Sequence, residues 1–153
     1  MVKHALSKFC VAVTILASLC FLYGRERAAG GDISMTQLTE TITKIRTGET
    51  SSIRTEAAEH LFKVTRGTTR TIDDKTIAEI ASLLDSPDDS VRYWIARCLG
   101  NFGRRARTAA PKLQKVLADV DCLQGSKTSA SGIRFALKEM GITPPPPKCD
   151  AQD

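Results

Sequence analysis

Leu83-Leu84-Asp85-Ser86-Pro87-Asp88-Asp89-Ser90-Val91-Arg92 reads as the end of one helix, an acidic turn and the opening of a second helix. Pro87 has no N–H to continue a helical ladder, so the chain must turn there. The whole phrase runs from Thr76 to Gly103, and fainter copies flank it. Ser52-Ile53-Arg54 lies 38 residues before Ser90-Val91-Arg92, and Gly132-Ile133-Arg134 lies 42 residues after it. A period near 40 residues, holding two helices each time, is the mark of an α-solenoid.

Outward from this phrase, apolar residues recur at the three- and four-residue spacings of one helical face. A first helix should begin near Ser34 or Thr36, carry Leu38, Ile42 and Ile45, and end at Gly48. A second, from about Ser52 to Thr65, should bury Ile53, Ala57, Leu61 and Val64, with Gly67 after it. Asp73 or Asp74 caps a third with Ile77, Ile80, Ala81 and Leu84 along its stripe. The fourth uses Val91, Ile95, Cys98, Leu99 and Phe102 and stops at Gly103. Ala110-Pro111 opens a fifth, since proline fits a first helical turn, with Leu113, Val116, Leu117 and Val120. Residues 124–132, rich in Gly, Ser and Thr, should form a loop before a sixth helix with Ile133, Ala136, Leu137 and Met140, ended by Gly141. The expected fold is all-α, a short α-solenoid of about three helical hairpins over residues 34–142. Residues 143–153 form a Pro-rich tail, with Pro144 to Pro147 in polyproline II conformation.

The N-terminus carries a different signal. Lys3, His4 and Lys8 precede an apolar stretch at 9–23, broken only by Thr14 and Ser18. At a helical rise of ~1.5 Å per residue that stretch falls short of a ~30 Å hydrocarbon core. A basic start with a short apolar run fits an export signal at 1–24, followed by a linker at 25–33. The expected location is periplasmic or secreted; the alternative is an uncleaved anchor in the inner membrane through residues 9–23, with Lys3 and Lys8 holding the N-terminus inside. In an oxidising compartment Cys122 and Cys149 are candidates for a disulfide that pins the tail, whereas Cys98 falls on an apolar helical face. A formal charge of +5 drops to +3 without Lys3 and Lys8, too mild to point to nucleic acid.

The quoted phrase, followed by Ala96, Leu99-Gly100 and Phe102-Gly103, resembles the bacterial HEAT-repeat consensus, and Ala109-Ala110-Pro111 with Leu113, Leu117 and Asp119 looks like the opening of the next unit. The resemblance is strong over 76–119 and moderate over 34–67; the last unit has roughly eight extra residues before Arg134, as an atypical terminal repeat would. The resemblance implies that an Asp of the turn and an Arg of the second helix form ladders between neighbouring units, and Arg54, Asp85 and Arg92 are the matching positions. It also implies a concave protein-binding face lined by the second helices, here Glu59, Lys63, Tyr93, Trp94, Arg97 and Arg104. Trp, Tyr and Arg are enriched at binding hot spots.

No nucleophile elbow, zinc-protease helix or phosphate loop is present in the sequence. His60 stands alone on its helix, and Asp88-Asp89 sit in a turn. The sequence thus points to a protein-binding scaffold without catalysis, metal or cofactor, with a protein partner and a capacity to self-associate through terminal repeats. One alternative is an accessory or lyase-like role, because some HEAT-like families are related to bilin-attachment lyases. The other is a nucleic-acid binder, for a chain that is not exported, through the basic patch Arg104, Arg105, Arg107, Lys112 and Lys115. Intact mass after fractionation should show a chain that starts between Arg25 and Asp32 and resists alkylation at Cys122 and Cys149. A full-length soluble cytoplasmic protein with every thiol reactive would refute export.

Overall fold

Short polar side chains set where most of the helices begin. Ser34 accepts from Gln37 N while the Gln37 side chain accepts from Ser34 N, a reciprocal capping box. Thr50 caps the next helix through Ile53 N, Asp73 the third through Thr76 N at 2.8 Å, and Thr128 the last through Ser131 N. Each cap contributes on the order of 1 kcal/mol by satisfying a donor that has no intrahelical partner.

The computed structural model describes residues 34–123 and 125–147. These are all-helical, with no strand among the described residues. The helices are α1 Met35–Thr47, α2 Ser51–Thr68, α3 Asp74–Ser82, α4 Asp89–Phe102, α5 Ala110–Val120 and α6 Ser129–Glu139. Short 3-10 segments extend α3 at Leu83–Asp85 and join α4 to α5 at Gly103–Ala109. Every expected helix is present. The expected signal and linker at 1–33, and Cys149 in the tail, lie outside the described residues. No helix among the described residues is long and apolar enough to cross a membrane.

The second helices of the hairpins pack side by side. α4 lies between α2 and α6 and makes its most extensive contacts with them, while α1 packs on α2 and α5 on α6. α3 rests on α4 and on the connector 103–109. The core is one cluster that includes Leu38, Ile42, Leu61, Ile77, Ile80, Ile95, Leu99, Leu113, Leu117 and Ile133, all buried. Each such side chain contributes about 1.5–3 kcal/mol on leaving water.

Two boundaries differ from the sequence reading. α2 continues through Gly67 to Thr68 instead of stopping before it. A helical glycine costs only about 1 kcal/mol, less than the burial of Leu61, Phe62 and Thr65 along the same turns contributes. The buried face of α2 is also broader than one stripe. Ala57, Ala58, Leu61, Phe62 and Thr65 are buried while Ile53 and Val64 are half-buried, because α1 and α4 approach from different sides. The loop expected at 124–132 is shorter, since α6 begins at Ser129 and takes in Gly132.

Gly132 has a packing reason to be there. A Cβ on it would lie 2.8 Å from Tyr93 O, and one on Gly100 would lie 2.7 Å from a Phe135 ring carbon. These glycines let α4 and α6 meet almost backbone to backbone. Gly103, with φ 53°, ends α4 in a conformation that side chains disfavour.

Gly132→Ala should lower stability by about 1–3 kcal/mol in urea unfolding, since the obstacle is backbone and cannot swing aside. Gly67→Ala meets nothing within 4 Å and should raise stability by about 0.5–1 kcal/mol. Equal effects of the two substitutions would refute the close packing of α4 on α6.

Candidate functional site

An aromatic and cationic row crosses the three second helices. Phe62 of α2 lies 5.3 Å, centroid to centroid, from Trp94 of α4, whose ring meets Tyr93 edge-on at 4.9 Å. The Arg97 guanidinium sits 3.9 Å from the Phe135 centroid of α6 and 5.5 Å from that of Phe62. Arg66, one turn beyond Phe62, stands 5.8 Å from the same ring. Such contacts are worth about 0.5–2 kcal/mol each where partly desolvated. Trp94, Arg97 and Phe135 are half-buried, and Lys63 and Arg66 are exposed.

Behind this row a small polar cluster ties α2 to α4. The Thr65 hydroxyl donates to Phe62 O at 3.0 Å and lies 3.3 Å from Cys98 Sγ. Asn101 Nδ2 donates to Phe62 O and to Thr65 Oγ1, both at 3.1 Å. Burial pushes the Cys98 thiol up to about 12, with the Thr65 hydrogen bond acting weakly in the opposite direction. A thiol held protonated and enclosed is a poor nucleophile.

The residues expected on the concave face fare differently. Trp94 and Arg97 belong to the row, and Lys63, the residue after Phe62, is exposed and paired with Glu59 at 2.7 Å. Tyr93 does not present itself, being only 9% exposed beneath the approach of α6 at Gly132. Arg104 leaves the end of α4 toward Gly141, past the C-terminus of α6. Phe62, Arg66 and Phe135 were not among the expected site residues. Phe62 and Phe135 each sit beside an apolar stripe, so periodicity alone gives them no role. The i, i+4 spacing of Phe62 and Arg66 was the available signal.

The basic patch does not hold together as one surface. Arg105 donates to Thr69 O and Ile72 O, both at 2.6 Å, and pairs with Asp74 at 2.8 Å. Arg107 Nε donates to Met140 O at 3.0 Å. Lys112 pairs with Asp85 at 2.6 Å. These cations serve carbonyls and carboxylates of neighbouring segments, while Arg104 and Lys115 are exposed. Lys112 and Lys115 line an open groove of about 690 Å³ with Arg92, Pro87, Val116 and Asp119.

The arginine positions are also rearranged relative to the expected ladder. Arg54 Nε pairs with Asp88 of the next turn at 2.7 Å, not with Asp85, and its Nη1 donates to Gly48 O at 2.7 Å. Arg92 holds its own turn through Ser86 O at 2.8 Å and Asp89 at 3.3 Å. Asp89 reaches the start of α6, where it accepts from Ser129 N at 3.2 Å and from the Ser129 hydroxyl. Arg134 pairs with Asp121 and donates to Pro145 O of the tail. Asp88 thus takes the arginine partner that the resemblance implied for Asp85, three residues earlier, Asp89 reaches α6, and Asp85 itself pairs with Lys112 of α5.

Among the described residues, no group of three or more His, Cys, Asp or Glu gathers as a metal site. His60 is exposed and lines a shallow cleft of about 400 Å³ with Glu40, Lys44 and Glu56. No protein-family model, curated protein or solved structure matches the chain.

The Arg54 guanidinium beside Asp88 holds that carboxyl below the ordinary 3.8, helped by the Ser51 hydroxyl and opposed by partial burial. A depressed carboxylate pKa stabilises the fold above the ordinary value and ceases to do so as pH falls through the depressed value. Arg54→Gln should therefore reduce stability at neutral pH and flatten the loss of stability below about pH 4 in acid unfolding curves. An unchanged acid limb would show that the pair carries no linkage.

Proposed function

We propose that residues 34–142 are a short HEAT-like α-solenoid that binds another protein on its second-helix face and performs no catalysis of its own. The observation that carries this reading is the row formed by Phe62, Trp94, Arg97 and Phe135, which crosses three helices and draws on residue types that dominate binding energetics. Side-by-side second helices, each backed by a first helix, support the repeat reading, as do the arginines at the openings of α2, α4 and α6 that tie their own turns.

The partner in this reading is a different protein rather than a second copy. The outer side of α1 is polar, and its threonines already donate to their own backbone, Thr39 to Met35 O, Thr43 to Thr39 O and Thr47 to Thr43 O. That side offers little apolar surface for stacking another array.

The proposed protein is exported, through the signal at 1–24. Export would allow Cys122 and Cys149 to pair, and the hydrogen bonding of Arg134 supports this. Arg134 engages both Asp121, next to Cys122, and Pro145, four residues before Cys149. Such a bond would hold the tail against the opening of α6.

Site-specific photo-crosslinking in the native host tests the reading. A crosslinking residue in place of Lys63, the residue after Phe62, should give a discrete protein adduct in the envelope fraction, and one in place of Lys44, on the exposed side of α1, should not. Equal adducts at both positions, or none at Lys63, would overturn it.

A further inference from the structure

We propose that the face formed by α2, α4 and α6 takes a protein segment rich in carboxylates, gripped by Arg66 and Arg97. This rests on the protein-binding reading above and adds the chemistry of the partner.

Half of the described arginines already have a counter-charge. Arg46 pairs with Glu79, Arg54 with Asp88, Arg92 with Asp89, Arg105 with Asp74 and Arg134 with Asp121. Among the described residues, Arg66 and Arg97 have no carboxylate within ion-pair reach, yet they flank the same Phe62 ring at 5.8 and 5.5 Å. An aromatic ring occupies the flat face of a guanidinium and leaves its N–H edge unused. Arg97 Nε is buried without an acceptor, so hydrogen bonding to a ligand falls to its terminal nitrogens. A planar carboxylate fits such an edge with two parallel hydrogen bonds, a geometry that a lysine ammonium cannot offer. The setting strengthens the attraction, since charges beside partly buried Trp94 and Phe135 are less screened than charges in open water.

The charge inventory favours a peptide over nucleic acid. Lys63 is neutralised by Glu59, Arg105 by Asp74 and Lys112 by Asp85, Arg107 is spent on backbone carbonyls, and the exposed Arg104 and Lys115 stand elsewhere, beside Gly141 and in the groove with Arg92. Two unpaired guanidiniums in this row fall short of the roughly six to ten phosphate contacts that drive strong, salt-sensitive duplex binding. They match a segment in which two acidic residues flank an apolar side chain, the latter packing on Trp94.

Selection from a random-peptide display library on the full-length protein tests this without assuming a sequence. Bound peptides should be enriched in Asp and Glu flanking an apolar residue. Affinity for them should fall roughly ten-fold in Arg66→Gln and in Arg97→Gln, and Arg97→Lys should recover only part of the loss. Arg66 is exposed, so its substitution reads binding rather than folding; helicity by circular dichroism controls for Arg97. A selection with no acidic enrichment, or acidic peptides that bind both glutamine variants as tightly as the parent, would overturn the proposal. So would displacement of the peptides by a single-stranded oligonucleotide at lower concentration than by free acidic peptide. Persistence of the Lys63 crosslink in the Arg66→Gln, Arg97→Gln double variant would discard the acidic partner and leave the protein-binding reading standing. No crosslink in the parent would discard both.

Discussion

The closeness of α4 and α6 is the constraint on which the rest of the molecule depends. Two glycines on opposite helices, Gly100 and Gly132, remove the side chains that would hold the backbones apart. The gain is complete burial of Ile95, Leu99, Ile133, Ala136 and Leu137 in one seam. The same approach brings Phe135 under Arg97 and covers Tyr93, so it decides which residues of α4 face outward. Dispersion is lost steeply once packed surfaces separate by even half an ångström, which is why a methyl group at either glycine matters.

The faces differ in how their polar groups are used. On the first-helix and turn side, cations are matched to carbonyls and carboxylates close by, as in Lys112 with Asp85 and Arg46 with Glu79 and Ser82. On the second-helix side, Arg66 and Arg97 rest on rings. The asymmetry separates groups that hold the helices together from groups left over for something else.

Much of the helical layout was legible because capping residues and apolar stripes are local features. Ser34, Asp73 and Pro111 mark helix starts whatever the helices later touch. What local pattern could not supply was the use of residues at stripe edges. Gly67 and Gly132 read as breakers, but both lie within helices: at the first, packing on the neighbouring turns outweighs propensity, and at the second a neighbouring backbone requires the absence of a side chain. The clustered basic residues at 104–115 read as one patch, yet a 3-10 connector and a helix start splay them toward different segments. Adjacency in sequence there says little about adjacency on the surface. Phe135 gains its meaning only from Arg97 on another helix, and no pattern within a single segment can reveal that.

The connector 103–109 carries a mechanical consequence. From neighbouring positions, Arg105 reaches back to the loop after α2 and Arg107 reaches forward to the end of α6. Helices that touch only their immediate neighbours can fray at the ends while the middle stays folded. Here the connector after α4 holds the far ends of both α2 and α6 from a single strap. Loosening either end pulls on that strap, and the helices should open as one body rather than peel away one by one.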